Sequence, residues 1–236
     1  MILPLEVSFI SLFLTGEVVV YNKMKIYSDA KKHLDLKTNK IFFQIGTNNG
    51  KDDFRELVEV YEPKKTFLVE PWSQLWDSIH ESYSGKDHTL IKGVIHDKEE
   101  GNALLYFPEN DFKRPQHSTL TPMADWNKKD LQPVSVHAYN FNDICSDQNI
   151  TEIELLMVDT EGFDYCILQS IDFNKVKINN IITENFGFDT ETCYYEYKQR
   201  DLFGKAGMDN IYKKMAKLNY KILKFKHDTF FQRHNG

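Results

Sequence analysis

The sequence predicts an α/β fold built on one doubly wound, mostly parallel sheet, with helices on both faces and an antiparallel strand at the C-terminal end. Three observations predict it. Short runs of Ile, Val, Leu and Phe alternate with stretches whose apolar residues recur every three or four positions, the patterns of strand and helix. The first clear run, Ile41-Phe42-Phe43-Gln44-Ile45, passes straight into a turn holding two glycines, Gly46 and Gly50. Three runs end on an acid, at Glu70, Asp159 and Glu184.

The elements follow in order. After the glycine turn, Phe54, Leu57, Val58 and Tyr61 mark a helix, and Thr66-Phe67-Leu68-Val69 a second strand ending at Glu70. Trp72, Leu75, Trp76, Ile79 and Tyr83 form an amphipathic stripe that Gly85 stops. Residues 89–95 read as a third strand and 103–107 as a fourth. Pro108, Pro115, Pro122 and Pro133 punctuate a polar stretch without a sustained period, of a length that in a compact domain accompanies function. Strand alternation returns over 134–139, followed by a short helix over 142–146. Ile153 to Asp159 is the next buried strand, Phe163, Ile167 and Ile171 a helix, and Asn180 to Asn185 another strand. Ile211, Met215 and Leu218 give a late helix, and residues 221–225 and 229–232 a terminal strand pair. No repeat or linker divides the chain.

Residues 1–20 are mostly apolar, but Pro4, Glu6 and Glu17 interrupt them and no basic residue precedes them. That pattern suits neither a stable membrane span nor a signal peptide. Residues 1–40 are expected to be an extension packed on a domain over 41–236, with Met24 an alternative start. Composition narrows the rest. Of 236 residues, 41% are hydrophobic and 27% charged, which fits one domain with a full core. A net charge of −6 argues against a nucleic-acid footprint. Three widely spaced cysteines, Cys145, Cys166 and Cys193, read as reduced thiols in a cytoplasmic protein and not as a zinc site.

In such a sheet, ligands sit outside the carboxyl ends of the strands. Residues 44–50, Glu70, 93–94, 159–161 and 184–185 should therefore share one rim. The turn is G-x-x-x-G, without the third glycine of a dinucleotide site or the Lys-Ser/Thr of a P-loop. Asp52 and Asp53 at the following helix start would repel a phosphate. This favours an adenosine-type cofactor whose contact group is not an anion, such as S-adenosylmethionine, with Glu70 accepting the ribose hydroxyls.

The segment Leu156-Met157-Val158-Asp159-Thr160-Glu161-Gly162-Phe163-Asp164, followed by Ile167-Leu168, resembles the FkbM-type S-adenosylmethionine-dependent methyltransferases. Supporting matches are the glycine turn, Val69-Glu70-Pro71, Ser118-Thr119-Leu120, Asn142-Asp143-Ile144 and Ile182-Thr183-Glu184. The resemblance runs from about Ile41 to the C-terminus. It implies a Rossmann-like methyltransferase sheet and methyl transfer to a hydroxyl of a sugar, glycan or glycosylated metabolite. Gln44 stands where the family carries an acid, so its contact to the cofactor amine would be an amide carbonyl; Asn49 replaces an apolar residue.

On this reading Gln44, Gly46, Thr47, Asn48, Gly50, Glu70, Pro71 and Val94 bind the cofactor. Asp159, Glu161 and His117 are the catalytic candidates, and Ser118, Thr119, Glu184 and Asn185 line the acceptor side. Asp159, Glu161 and Asp164 could share a hard cation, but acids at a helix start are more commonly caps, and no metal is expected. Two other classes fit less well: a nicotinamide-dependent oxidoreductase, for which Tyr194 and Lys198 give a Tyr-x-x-x-Lys pair, and a non-catalytic module on the same fold.

Overall fold

Apolar alternation and glycine turns produce the elements where the sequence places them. The computed structural model describes residues 18–20, 26–108, 118–120, 131–184, 204–225 and 228–234. The elements run β1 (Val18–Val20), α1 (Ile26–His33), β2 (Ile41–Ile45), α2 (Asp53–Tyr61), β3 (Lys65–Val69), α3 (Ser73–Ser82), β4 (His88–Ile91), β5 (Val94–His96) and β6 (Gly101–Pro108). They continue with β7 (Leu131–Asn140), α4 (Phe141–Asp147), β8 (Glu152–Val158), α5 (Asp164–Ser170), β9 (Lys177–Glu184), α6 (Gly204–Lys217), β10 (Tyr220–Lys224) and β11 (Asp228–Arg233).

Eight strands form the main sheet in the order β1-β10-β11-β9-β8-β2-β3-β4. β11 is antiparallel to both β9 and β10, and the remaining pairings are parallel. The chain runs from β2 outward through β3 to β4, then returns to build the other half from β8. The order therefore reverses between β2 and β8, which opens a crevice at their carboxyl ends.

Both faces of this sheet are covered. Phe43, Phe67, Leu156 and Ile181 point to the face carrying α4, α5 and α6, where Phe141, Ile167 and Met215 complete the core. Phe42, Leu68, Met157, Ile182 and Phe230 point the other way, against Ala30 of α1, Phe54 and Leu57 of α2 and Ile79 of α3. The expected doubly wound sheet with an antiparallel C-terminal strand is what forms. β1 pairs with β10, and α1 packs among the residues of the second core.

One expectation needs correction. Residues 89–95 do not form a single strand, and the run at 103–107 does not join the main sheet. Gly93 breaks the segment, so that β4 edges the main sheet while β5, β7 and β6 make a separate three-stranded sheet. A Cβ at Gly93 would lie 2.4 Å from the His137 carbonyl oxygen, so only glycine lets β7 come this close. β6 and β7 pair over eight residue pairs, from Gly101↔Ala138 to Pro108↔Leu131. That long antiparallel pairing satisfies their backbone without the main sheet.

Local signals set the helix that leads out of the crevice. Asp52 caps α2 by accepting from the Arg55 N–H at 3.1 Å, and Gln44 of β2 donates its side-chain amide to the other Asp52 oxygen. Phe43, fully buried in β2, stacks on Phe67 at 5.5 Å and tilts against Phe141 at 5.1 Å. Phe43→Ala should therefore destabilise the chain by about 3–5 kcal/mol. Urea unfolding should show a lower midpoint with an unchanged slope.

Candidate cofactor and active site

The crevice owes its shape to a contact between backbones. β2 ends at Ile45, whose carbonyl accepts from the Asp159 N–H at 3.0 Å just beyond β8. The chain then turns at Gly46 with φ of +86°, and a Cβ there would sit 1.7 Å from the Asp159 carbonyl oxygen. No side chain fits that space. Gly46 and Thr47 both donate to the Val69 carbonyl at 3.1 Å, which fastens the turn to β3 as well.

Glu70, one residue past β3, completes the turn. Its Oε2 accepts from the Asn48 N–H at 2.8 Å and its Oε1 from the Trp72 N–H at 2.9 Å. Each carboxylate oxygen keeps a second lone pair, which matches two vicinal ribose hydroxyls. Burial raises the Glu70 pKa to about 7 despite those two N–H groups.

A cavity, open at its mouth, lies over this turn. Gly46, Asn48 and Glu70 give it a polar side; Val69, Pro71, Val94, Ile95, Leu105 and Leu120 supply apolar walls. Its carboxylate and its apolar sides fit an adenosine cofactor. The Gln44 Oε1 and Thr47 Oγ1 atoms are buried without a hydrogen-bond partner among the described residues.

The far end of the cavity is Asp159, Thr160 and Glu161. Here the loop wraps around Asp164, which accepts from Thr160 N (3.2 Å), Thr160 Oγ1 (2.7 Å), Gly162 N (3.4 Å) and Thr183 Oγ1 (3.2 Å). Asp164 thus holds the loop that carries Asp159 and Glu161. Burial, then the neighbouring Asp164, Glu161, Asp228 and Asp52, raises the Asp159 pKa well above the carboxylate range. Burial and the same group of acids, led by Asp159, push Glu184 up to about 10. Asp228 rises to about 7 through burial and its neighbours Asp164 and Asp53.

The structure gathers Gly46, Asn48, Glu70, Pro71, Val94, Ser118, Thr119, Asp159 and Glu161 around one cavity. Gln44, Thr47 and Gly50 lie behind its lining: Gln44 is bonded to Asp52, Thr47 is fully buried, and the Gly50 carbonyl accepts from Ser82 Oγ. Ser118 and Thr119, expected on the acceptor side, line the same cavity as Gly46, Asn48 and Glu70. Ser118 accepts from Trp72 Nε1 at 2.8 Å, and Thr119 exchanges two backbone bonds with Tyr106 of β6. His117 and Asn185 lie outside the described residues, as do Tyr194 and Lys198. Among the described residues no three acids, histidines or cysteines converge to hold a metal ion.

Sequence reasoning missed Leu105 and Leu120 as cavity walls and Asp228 as a member of the acid group. It also missed Trp72, whose Nε1 donates to Ser118 beside the cavity and whose signal was its position two residues after Glu70. Asp228 had none, because its place depends on the antiparallel pairing Asp228↔Glu184.

The raised carboxyl groups bind protons more tightly in the folded chain than in the unfolded one. Their stabilising contribution is full below the unfolded carboxyl range and is lost as pH rises through the folded values. The free chain should therefore melt several degrees lower at pH 8 than at pH 5, and Glu184→Gln should flatten that slope. Thermal unfolding across this range checks both.

No curated protein matches the sequence. Among solved structures, the chain is similar to precorrin-6y C5,15-methyltransferase from Geobacter metallireducens, at 8% identity and a TM-score of 0.46 over 88% of this chain and 87% of that one. It is also similar to a SAM-dependent methyltransferase from Aquifex aeolicus, at 9% identity and a TM-score of 0.43 over 86% of each chain. A methyltransferase from Pyrococcus furiosus aligns at 12% identity and a TM-score of 0.43, over 89% of this chain and 81% of that one. At such values the assignment rests on the sequence family. The methyltransferase FkbM domain matches residues 39–222, which take in the glycine turn, Glu70, the Asp159–Gly162 loop and Glu184. The chain belongs to the FkbM family of S-adenosylmethionine-dependent methyltransferases.

Proposed function

We propose that this methyltransferase O-methylates a hydroxyl of a sugar, glycan or glycosylated metabolite. The observation that carries the reading is continuity: the cavity over Glu70 ends on Asp159 and Glu161, so acids stand where a cofactor seated on Glu70 would meet an acceptor. Bound S-adenosylmethionine would supply an electrophilic methyl group. Glu70 and Pro71 hold the ribose end, Val94 and Leu105 enclose the base, and Gly46 and Asn48 leave room for the amino-acid arm.

Positioning supplies much of the rate of an in-line displacement. Proton removal from the acceptor hydroxyl falls to Asp159. Its raised pKa makes it a stronger base than an ordinary carboxylate, at the cost of a smaller ionised fraction at neutral pH. Glu161 orients the acceptor, Glu184 lines its side of the site, and His117 and Asn185 complete it. We further assign residues 41–236 to the catalytic domain and the reaction to the cytoplasm. Among the described residues no helix is long and apolar enough to cross a membrane.

Calorimetry with S-adenosylhomocysteine tests the cofactor half of this reading. Micromolar binding is expected, with a loss of at least 100-fold in Glu70→Ala. Transfer of a labelled methyl group to a panel of sugar hydroxyls tests the other half. Asp159→Asn should lower kcat by about 100- to 10,000-fold, the range of general base catalysis, while cofactor affinity stays within a few-fold. Tight cofactor binding with no methylated product from any hydroxyl would point to a binding module instead.

A further inference from the structure

The Ser118–Leu120 wall of the cavity is held from two sides. Tyr106 of β6 and Thr119 exchange a pair of backbone hydrogen bonds at 2.8 and 2.9 Å, an isolated antiparallel bridge. Leu105, next to Tyr106, lines the cavity together with Ser118, Thr119 and Leu120. The second hold is the indole of Trp72, whose Nε1 donates to Ser118 Oγ at 2.8 Å. A single bridge fixes one residue of a segment and lets its neighbours pivot. A further bond one residue away removes that freedom.

Trp72 brings Glu70 into the same linkage. Its backbone N–H donates to Glu70 Oε1 at 2.9 Å, while the Asn48 N–H holds Oε2 at 2.8 Å. Glu70 is fixed along its backbone as well. Its N–H donates to the Ile91 carbonyl at 3.1 Å, and its own carbonyl accepts from Trp76 Nε1 at 3.0 Å. Trp72 is absent from the described residues that line the cavity; it packs behind them, in one cluster with Val94, Leu105 and Leu120.

Satisfying an indole N–H alone calls for any nearby acceptor. Here the acceptor is a side chain of the cavity lining, and the backbone N–H of the same tryptophan sits on the cavity carboxylate. Two hydrogen bonds and one rigid side chain therefore set the distance between acid and wall before any ligand arrives. That distance matters for a flat base. Once Glu70 holds the ribose hydroxyls, the base attached to that ribose has little choice of position, and a wall preset against Glu70 meets it without further ordering. Affinity rises where such ordering is already done.

We propose that Trp72 is a positioning residue of the cofactor site, and that the Ser118–Leu120 wall it ties to Glu70 belongs to the adenosine subsite and not to the acceptor side. This rests on Glu70 as the ribose acid and deepens that reading. The acceptor is then left the end of the cavity formed by Asp159, Thr160 and Glu161.

The test uses the full chain with two ligands: S-adenosylhomocysteine, and methylthioadenosine, which keeps the adenosine and lacks the amino-acid arm. Trp72→Phe retains an aromatic ring and the backbone N–H but removes the indole donor; Ser118→Ala removes its acceptor. Affinities of both variants and of the double variant are measured by calorimetry well below the lowest melting temperature of the set. There a loss of global stability alone leaves affinity unchanged. Each single variant should weaken both ligands by about five- to tenfold, the span of one hydrogen bond. The double variant should lose no more than either single one, because the two changes remove the same bond. Losses that multiply in the double variant, or undiminished affinity in Trp72→Phe, would overturn the positioning role. A loss confined to S-adenosylhomocysteine would set the wall against the amino-acid arm and overturn the adenosine assignment. In each of these cases the parent still binds its cofactor, and the methyltransferase reading stands. If neither ligand binds the parent chain, both fall together.

Discussion

The approach of Gly46 to the Asp159 backbone is the constraint on which the rest of the molecule depends. A sheet that reverses its order between β2 and β8 must let two chains leave adjacent strands in different directions without losing contact. Here one glycine makes that possible, because a Cβ would overlap the Asp159 carbonyl. The Ile45–Asp159 hydrogen bond keeps the two strands together up to their last residue. The same contact fixes where the cavity ends and the acids begin. Displacing either backbone would separate Glu70 from Asp159, and the two halves of the proposed reaction with them.

The acids beyond that point divide by how they are satisfied. Asp164 is buried and accepts from four donors, so its charge is used to hold the Thr160–Gly162 loop. Glu70 accepts two backbone N–H groups and keeps free lone pairs. Glu184 and Asp228 have no comparable support among the described residues, and burial together with the neighbouring acids raises their pKa values. Buried polar groups normally find partners, and groups left without them gather where a protein gives up stability for function. The contrast between Asp164 and Glu184, drawn from adjacent elements of one fold, separates a structural carboxylate from one held in reserve.

Much of the main sheet was legible in the sequence because its strands are buried on both faces and end in turns with strong local chemistry. Ile41–Ile45, Thr66–Val69 and Ile153–Val158 needed only their apolar runs, and the glycine turn and Glu70 needed only their order. The second sheet was not legible. Ala103–Phe107 has the same alternation whichever sheet it joins, and the choice rests on the close approach of β7 at Gly93. The walls of the cavity were hidden for a similar reason: Ser118 and Thr119 reach it through bonds to Trp72 and Tyr106 that no local pattern encodes. Asp228 illustrates the limit most clearly, since an acid in a C-terminal hairpin looks like a turn residue until its register is known.

The short strand β1 has a consequence of another kind. It lies alongside β10 at the border of the main sheet, in parallel register from Val18↔Ile222 to Val20↔Lys224. Without it, β10 would present a row of unsatisfied amides and carbonyls flanked by Ile222 and Leu223, a template for self-association. Three valines near the start of the chain thus act as a seal. Protection of that border therefore lies in residues far from the chemistry, and shortened forms that keep every residue of the site would be expected to aggregate through it.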